Sequence, residues 1–201
     1  SEELSQMRIK SRENGIPIKS PWRDNANNTN DEDFVIRLKM PSTGITTIHD
    51  LVQGEVSVNN EILDDMVILR SDKSPTYMLS SVVDDYNMGI THVIRGDDHL
   101  NNAFRQIQII KFLNWQEPSY AHIPLIHGTD GSKLSKRHGA TNIFDYHKMG
   151  YTSEAMFFYL LQLGWTAQNE NDFDLKKIIS EFAIEKINKS PARFDIQKLN
   201  N

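Results

Sequence analysis

"SPTYMLSSVVDDYNMGITHVIRGDDHLNN", Ser74–Asn102, is the stretch on which the fold turns. Its first half, "YMLSSVVDDYNMG", has helical spacing and stops at Gly89, a residue that tolerates the left-handed conformation at a helix end. "THVIRG" reads as a short buried strand, after which Asp97 or Asp98 can cap a long helix. That helix carries Phe104, Ile107, Ile110 and Leu113 as a stripe, with Ile109 and Phe112 beside it. "AHIPLIHG" is expected as the next strand, with His122 and His127 on opposite sides of it. Strands separated by helices pair in parallel, and such sheets present ligands at the carboxyl ends of their strands. Arg95 falls at one such end and the decapeptide "DGSKLSKRHG", Asp130–Gly139, at another.

Working outward, the chain up to about Arg70 reads as a small α+β unit. A polar helix around Glu2–Glu13 leads into an Asn/Asp-rich loop, Asp24–Asp33, and then into "FVIRLKM". There the alternation predicts a strand with Phe34, Ile36, Leu38 and Met40 on one face. "GEVSVN" and "DMVILRS" are two further extended runs. From about Thr141 the chain is expected to be helical, near Ile143–Met149, Ser153–Leu163 and Leu175–Phe182. The middle segment is apolar almost all round, which predicts a buried helical layer. The class is therefore α/β, in three zones: 1–70, 71–140 and 141–201.

Composition excludes several chemistries. With 201 residues and 38% hydrophobic content the chain can bury a sizeable core, and no stretch approaches the roughly 20 apolar residues of a membrane helix. It contains no cysteine, which removes thiolate catalysis and cysteine-bound zinc and fits a reducing, cytoplasmic setting. The formal net charge of −5 repels phosphate overall, so a nucleic-acid partner has to be held by local basic patches. Asp84 and Asp85 diverge by about 100 degrees around a helix and cannot share an ion, so no structural metal is expected.

A charge run such as Lys133, Lys136 and Arg137 is, taken alone, a solvated turn. Its place at a strand end, between glycines and with Ser135 inside it, suits a polyphosphate better: lysines supply mobile point charges and the loop can close over a ligand. It is not a Walker A sequence, whose glycine-rich turn opens a helix.

These residues carry a resemblance. "KLSKR", Lys133–Arg137, resembles the KMSKS signature of class I aminoacyl-tRNA synthetases. The Ser74–Asn102 block is similar to the segment preceding that signature in bacterial glutamyl-tRNA synthetases, and "INKSPARFD" to their helical region. The family's other signature, an HIGH-type tetrad, is absent, since none of the seven histidines starts or ends one. The expectation is an internal fragment, without the HIGH-type half of the nucleotide fold and without the anticodon-binding region, inactive by itself.

The resemblance implies ATP-dependent ligation of glutamate to tRNA through glutamyl-adenylate. Residues 1–70 would be the insertion that holds the tRNA acceptor end, 71–140 the second half of a Rossmann-type catalytic domain, and 141–201 the stem-contact helices. Lys133 and Lys136 would neutralise charge developing on the phosphates. Lys136, Ser135, Arg137, Asp98, His99, Leu125 and Ile126 would bind ATP, which arrives with Mg²⁺. Tyr77, Arg95 and Ser81 would bind glutamate, with Arg95 pairing its side-chain carboxylate. The implied partners are L-glutamate and the glutamate tRNA, with the glutamine tRNA left open, no membrane, and a monomeric full-length enzyme. Two alternatives stand beside this reading: a glutaminyl-tRNA synthetase, and a non-catalytic phosphate- or RNA-binding module derived from a synthetase.

Overall fold

The computed structural model describes residues 2–24, 34–135, 142–165 and 174–200. Helix α1, Glu2–Asn14, opens the chain. Two short strands, β1 (Ile36–Arg37) and β4 (Val67–Leu69), pair antiparallel in a sheet of their own. The main sheet has four strands in the order β3-β2-β6-β5, where β2 is Ile45–Asp50, β3 Gly54–Asn59, β5 His92–Gly96 and β6 Ser119–Ile123. β2 and β6 run parallel, with Asp50 opposite Tyr120. Helix α2 (Tyr77–Asn87) precedes β5, and α3 (Leu100–Phe112) lies between β5 and β6 in sequence. Helices α4 (Ile143–Lys148), α5 (Ser153–Gly164), α6 (Leu175–Glu181) and α7 (Ile196–Leu199) complete the chain.

The chain divides into two compact units. The first comprises residues 1–49, 55–92 and 101–119. Within it, α3 buries Ala103, Phe104, Ile107, Ile109 and Ile110, and it also buries two glutamines. Gln108 can be buried because its amide donates to Thr46 Oγ1 at 2.7 Å, and that hydroxyl donates in turn to Asn60 Oδ1 at 2.5 Å. Asp65, fully buried, is likewise satisfied: it accepts from the backbone N–H of Ser20 and of Met40 and from the Arg23 guanidinium. The second unit comprises residues 50–54, 93–100 and 120–201. Among its described residues are an apolar cluster of Val52, Ala121 and Ile187 and another of Tyr146, Met156, Tyr159 and Phe194 with Ile126, Leu134 and Leu163 against them.

Several expectations change in detail. The run Phe34–Met40 forms only the two-residue β1; Ile36 is exposed whereas Met40 is fully buried, so the four residues do not share a face. Its pairing with β4 shifts register between Ile36 and Arg37, which breaks the alternation. The α3 stripe is buried at Phe104, Ile107 and Ile110, but the helix ends at Phe112, and Phe112 and Leu113 are exposed. β6 stops at Ile123 because Pro124 has no N–H to continue the ladder, so His127 lies beyond the strand and strand parity does not govern it. In α5 only Met156 and Tyr159 are buried, and Phe157 and Leu160 are exposed. The Asn/Asp-rich segments at 25–33 and 168–173 lie outside the described residues.

Candidate functional site

Arg95 stands near the carboxyl end of β5, and its guanidinium is held from several sides. Nε donates to His122 Nε2 at 3.1 Å, and Nη2 donates to the His99 carbonyl at 3.3 Å. The guanidinium carbon lies 5.9 Å from the centroid of the Tyr120 ring. Tyr120 and His122 are alternate residues of β6 and so share a face; their rings lie nearly parallel, 11° apart.

His122 is fully buried, and its Nδ1 is 2.6 Å from Asp50 Oδ2. Asp50 is fully buried too, at the end of β2. Its Oδ1 accepts the backbone N–H groups of Val52 and Gln53, both at 2.9 Å, and the His122 N–H is shared between Oδ1 and Oδ2, at 3.1 Å from each. Burial opposes ionisation of Asp50, but the hydrogen bonds from Gln53, His122 and Val52 outweigh it and hold the carboxyl below its usual range. Burial pushes the His122 imidazole below its usual value, against the pull of Asp50. A neutral imidazole carries one N–H.

The nucleotide-side residues surround the turn after β5. Asp98 lies in the 3-10 turn Asp97–His99, and its Oδ2 is 2.8 Å from Lys133 Nζ. The hydrogen bond from Lys133 lowers the Asp98 carboxyl further than its slight desolvation raises it. Gly96 makes room for this arrangement: a Cβ there would stand 2.7 Å from Asp98 Oδ1 and 3.3 Å from Leu125 Cδ2. Leu125 therefore borders Gly96, while Ile126 packs into the cluster of Tyr146, Met156, Tyr159 and Phe194.

The loop that carries Lys133 is pinned rather than free at its start. His127 forms an antiparallel bridge with Lys133, Gly128 N–H donates to the Ser132 carbonyl at 2.8 Å, and Leu134 N–H to the Ile126 carbonyl at 3.0 Å. Asp130 Oδ1 closes the tip by accepting from Ser132 N and Oγ. Ser135 is half-buried, and Lys136 and Arg137 lie outside the described residues.

Tyr77 and Ser81 belong to the first unit. Tyr77 opens α2 and is half exposed. Ser81, one turn on, donates to the Tyr77 carbonyl at 2.8 Å and accepts from the buried Gln106 amide at 2.7 Å. Among the described residues no group of three or more His, Asp or Glu side chains could hold a metal ion, and no helix is long and apolar enough to cross a membrane.

The sequence profile of the family "tRNA synthetases class I (E and Q), catalytic domain" matches residues 1–201. The chain belongs to this family. It is 52% identical over 204 residues to glutamate–tRNA ligase 2 of Paramagnetospirillum magneticum, covering 100% of this chain and 43% of that one. To glutamate–tRNA ligase 2 of Cereibacter sphaeroides it is 54% identical over 185 residues, covering 92% and 39%. A crystal structure of a glutamate tRNA ligase from Elizabethkingia meningosepticum, in complex with its amino acid, superposes with a TM-score of 0.84 at 30% identity over 98% of this chain and 46% of that one. The chain thus spans less than half the length of these relatives. Its mixed α/β sheet is that of a Rossmann-like class I synthetase catalytic domain.

Within this synthetase frame, Asp50 and His122 are the residues that sequence reading missed. They stand 72 positions apart, so no spacing links them. The available signals were local: an aspartate closing the alternating "ITTIHD", and one histidine inside the apolar "YAHIPLI". A lone histidine in a buried strand has to find polar partners, and its strand neighbours are where they are found.

Proposed function

We propose that this chain is the part of a glutamate–tRNA ligase that recognises the amino acid and half of the nucleotide. The observation that carries the reading is Arg95, fixed in its plane by His122 and the His99 carbonyl at a strand end in a member of this family. A guanidinium held in this way pairs a carboxylate through two parallel hydrogen bonds, geometry that an ammonium cannot supply. The substrate side chain would be that of glutamate. Homologues of this chain are glutamate–tRNA ligases, and one is known with its amino acid bound.

In the reaction, an oxygen of the glutamate α-carboxylate attacks the α-phosphorus of ATP. The bond to the bridging oxygen breaks, and pyrophosphate leaves with the electron pair. A hydroxyl of the terminal tRNA ribose then attacks the acyl carbon and AMP departs. Lys133 and Lys136 neutralise charge on the phosphates, with Ser135 and Arg137 beside them and Mg²⁺ arriving on ATP. Asp98, His99, Leu125 and Ile126 form the adenosine side. Lys133 is paired with Asp98 at 2.8 Å, and its ammonium has further N–H groups to offer a phosphate. Residues 1–70 serve the acceptor end of the tRNA, 71–140 complete the nucleotide fold, and 141–201 contact the stem. The full-length enzyme works in the cytoplasm as a monomer on the glutamate tRNA.

Arg95→Lys in the full-length protein tests the assignment. The KM for glutamate is expected to rise roughly ten- to hundredfold with the KM for ATP near wild type, because the charge stays but the fork is lost. Equal changes for both substrates would give Arg95 a structural role instead.

A further inference from the structure

We propose that Asp50 and His122 form a buried relay that sets the plane of Arg95, making them positioning residues for amino-acid specificity. The inference rests on Arg95 being the glutamate-binding arginine and goes beyond it to what aims that arginine. Arginine remains protonated, so its Nε–H is a permanent donor. The 3.1 Å contact therefore requires a lone pair on His122 Nε2, which puts the imidazole proton on Nδ1. Nδ1–H then donates to Asp50 Oδ2 at 2.6 Å. Asp50 cannot turn away, since Oδ1 accepts the N–H groups of Val52 and Gln53 and the His122 N–H is shared between Oδ1 and Oδ2. Strand register supports the alignment: Asp50 is opposite Tyr120, and Leu51 N–H donates to the Tyr120 carbonyl at 2.8 Å. The Gln53 amide also donates to the His122 carbonyl at 2.9 Å.

The side chains of Asp50 and His122 are both fully buried, so neither meets solvent or substrate directly. Their effect has to travel through Arg95. Tyr120, itself buried, faces the guanidinium and limits its swing. Aspartate to histidine to arginine is thus one line of donors and acceptors with its direction fixed from both ends: backbone amides at Asp50 and a permanent cation at Arg95.

Asp50→Asn reverses that direction. With the Val52 and Gln53 N–H groups on one oxygen and the His122 N–H shared between both, the amide oxygen keeps the side of Val52 and Gln53 and the NH₂ takes the place of Oδ2, facing His122 Nδ1. An amide in that place makes the imidazole carry its proton on the far nitrogen, here Nε2, where it opposes the Arg95 N–H. In the full-length protein we expect the glutamate KM of Asp50→Asn to rise about ten- to hundredfold, the ATP KM to stay within about twofold, and the ¹⁵N signals of His122 to change from the Nδ1–H to the Nε2–H pattern. His122→Gln and His122→Leu form a second test that does not depend on Asp50→Asn folding. The glutamine oxygen can still accept from Arg95, so its glutamate KM is expected to lie well below that of the leucine variant.

Arg95→Lys, measured alongside, separates the two ideas. A selective glutamate defect in Arg95→Lys, with glutamate KM at the wild-type value in Asp50→Asn and in both His122 variants, overturns the relay and leaves the amino-acid site standing. Equal changes in glutamate and ATP KM in Asp50→Asn also overturn it. An unchanged glutamate KM in Arg95→Lys overturns the substrate reading, and the relay's role in specificity with it.

Discussion

Asp65 shows at the level of one residue how the first unit is held. Its carboxylate is fully buried, yet burial, which alone would raise its pKa, is outweighed by hydrogen bonds from the Ser20 N–H, Arg23 and the Met40 N–H. The group therefore titrates below the usual carboxylate range. A depressed folded-state pKa contributes stability that is complete above the unfolded value and is lost as pH falls through the folded one. Asp65→Asn leaves the Arg23 guanidinium, itself largely buried, without its counter-charge, and it should cost about 3–5 kcal/mol at neutral pH. Urea unfolding of wild type and variant should show that gap, and show it narrowing as the pH drops into and below the carboxylate range. A gap independent of pH would mean that Asp65 acts by shape rather than charge. Nothing in the sequence singles out Asp65 from Asp64 beside it. Asp64 pairs instead with Arg105, at 2.7 Å and partly exposed, and only the three-dimensional neighbours distinguish the two roles.

Elements were legible where period and punctuation agreed. The helix ending before Gly89 is α2, and Gly89 does adopt φ 65. A Cβ there would meet nothing within 4 Å, so the cost of a substitution is purely conformational. Gly89→Ala should destabilise by about 1 kcal/mol and Gly89→Asn by less, read as shifts in the urea midpoint at constant m. A larger loss would imply packing that the free space around Gly89 excludes. The β5 strand and the α3 helix were equally readable, because Phe104, Ile107 and Ile110 repeat one buried face along α3. β1 was not, since alternation in "FVIRLKM" says nothing about whether a partner strand runs alongside. Among the described residues Val67–Leu69 does, and the pairing ends after two residues. Similarly, "AHIPLIHG" is continuous in hydrophobicity but not in hydrogen bonding, and Pro124 divides it.

For the whole molecule, the Ser74–Asn102 block and the lysine-rich loop pointed to the family because both are local, and the long block is far more specific than the loop pentapeptide. What stayed hidden is long-range. Asp50 meets His122, and through it Arg95, only after β2 and β6 have paired in parallel. Lys133 meets Asp98 only after the His127–Lys133 bridge has folded the loop back. The apolar run of α5 likewise predicted full burial, which a single-sided contact with Tyr146 and Phe194 does not require. Joining of glutamate to tRNA by the full-length protein at the expense of ATP is measured by incubating it with ATP, tRNA and labelled glutamate or glutamine and recovering acid-insoluble label. ATP-dependent, base-labile attachment of glutamate is expected, with AMP and pyrophosphate released in equal amounts and glutamine left unattached. Binding of tRNA without any attached glutamate, or attachment of glutamine instead, would contradict that expectation.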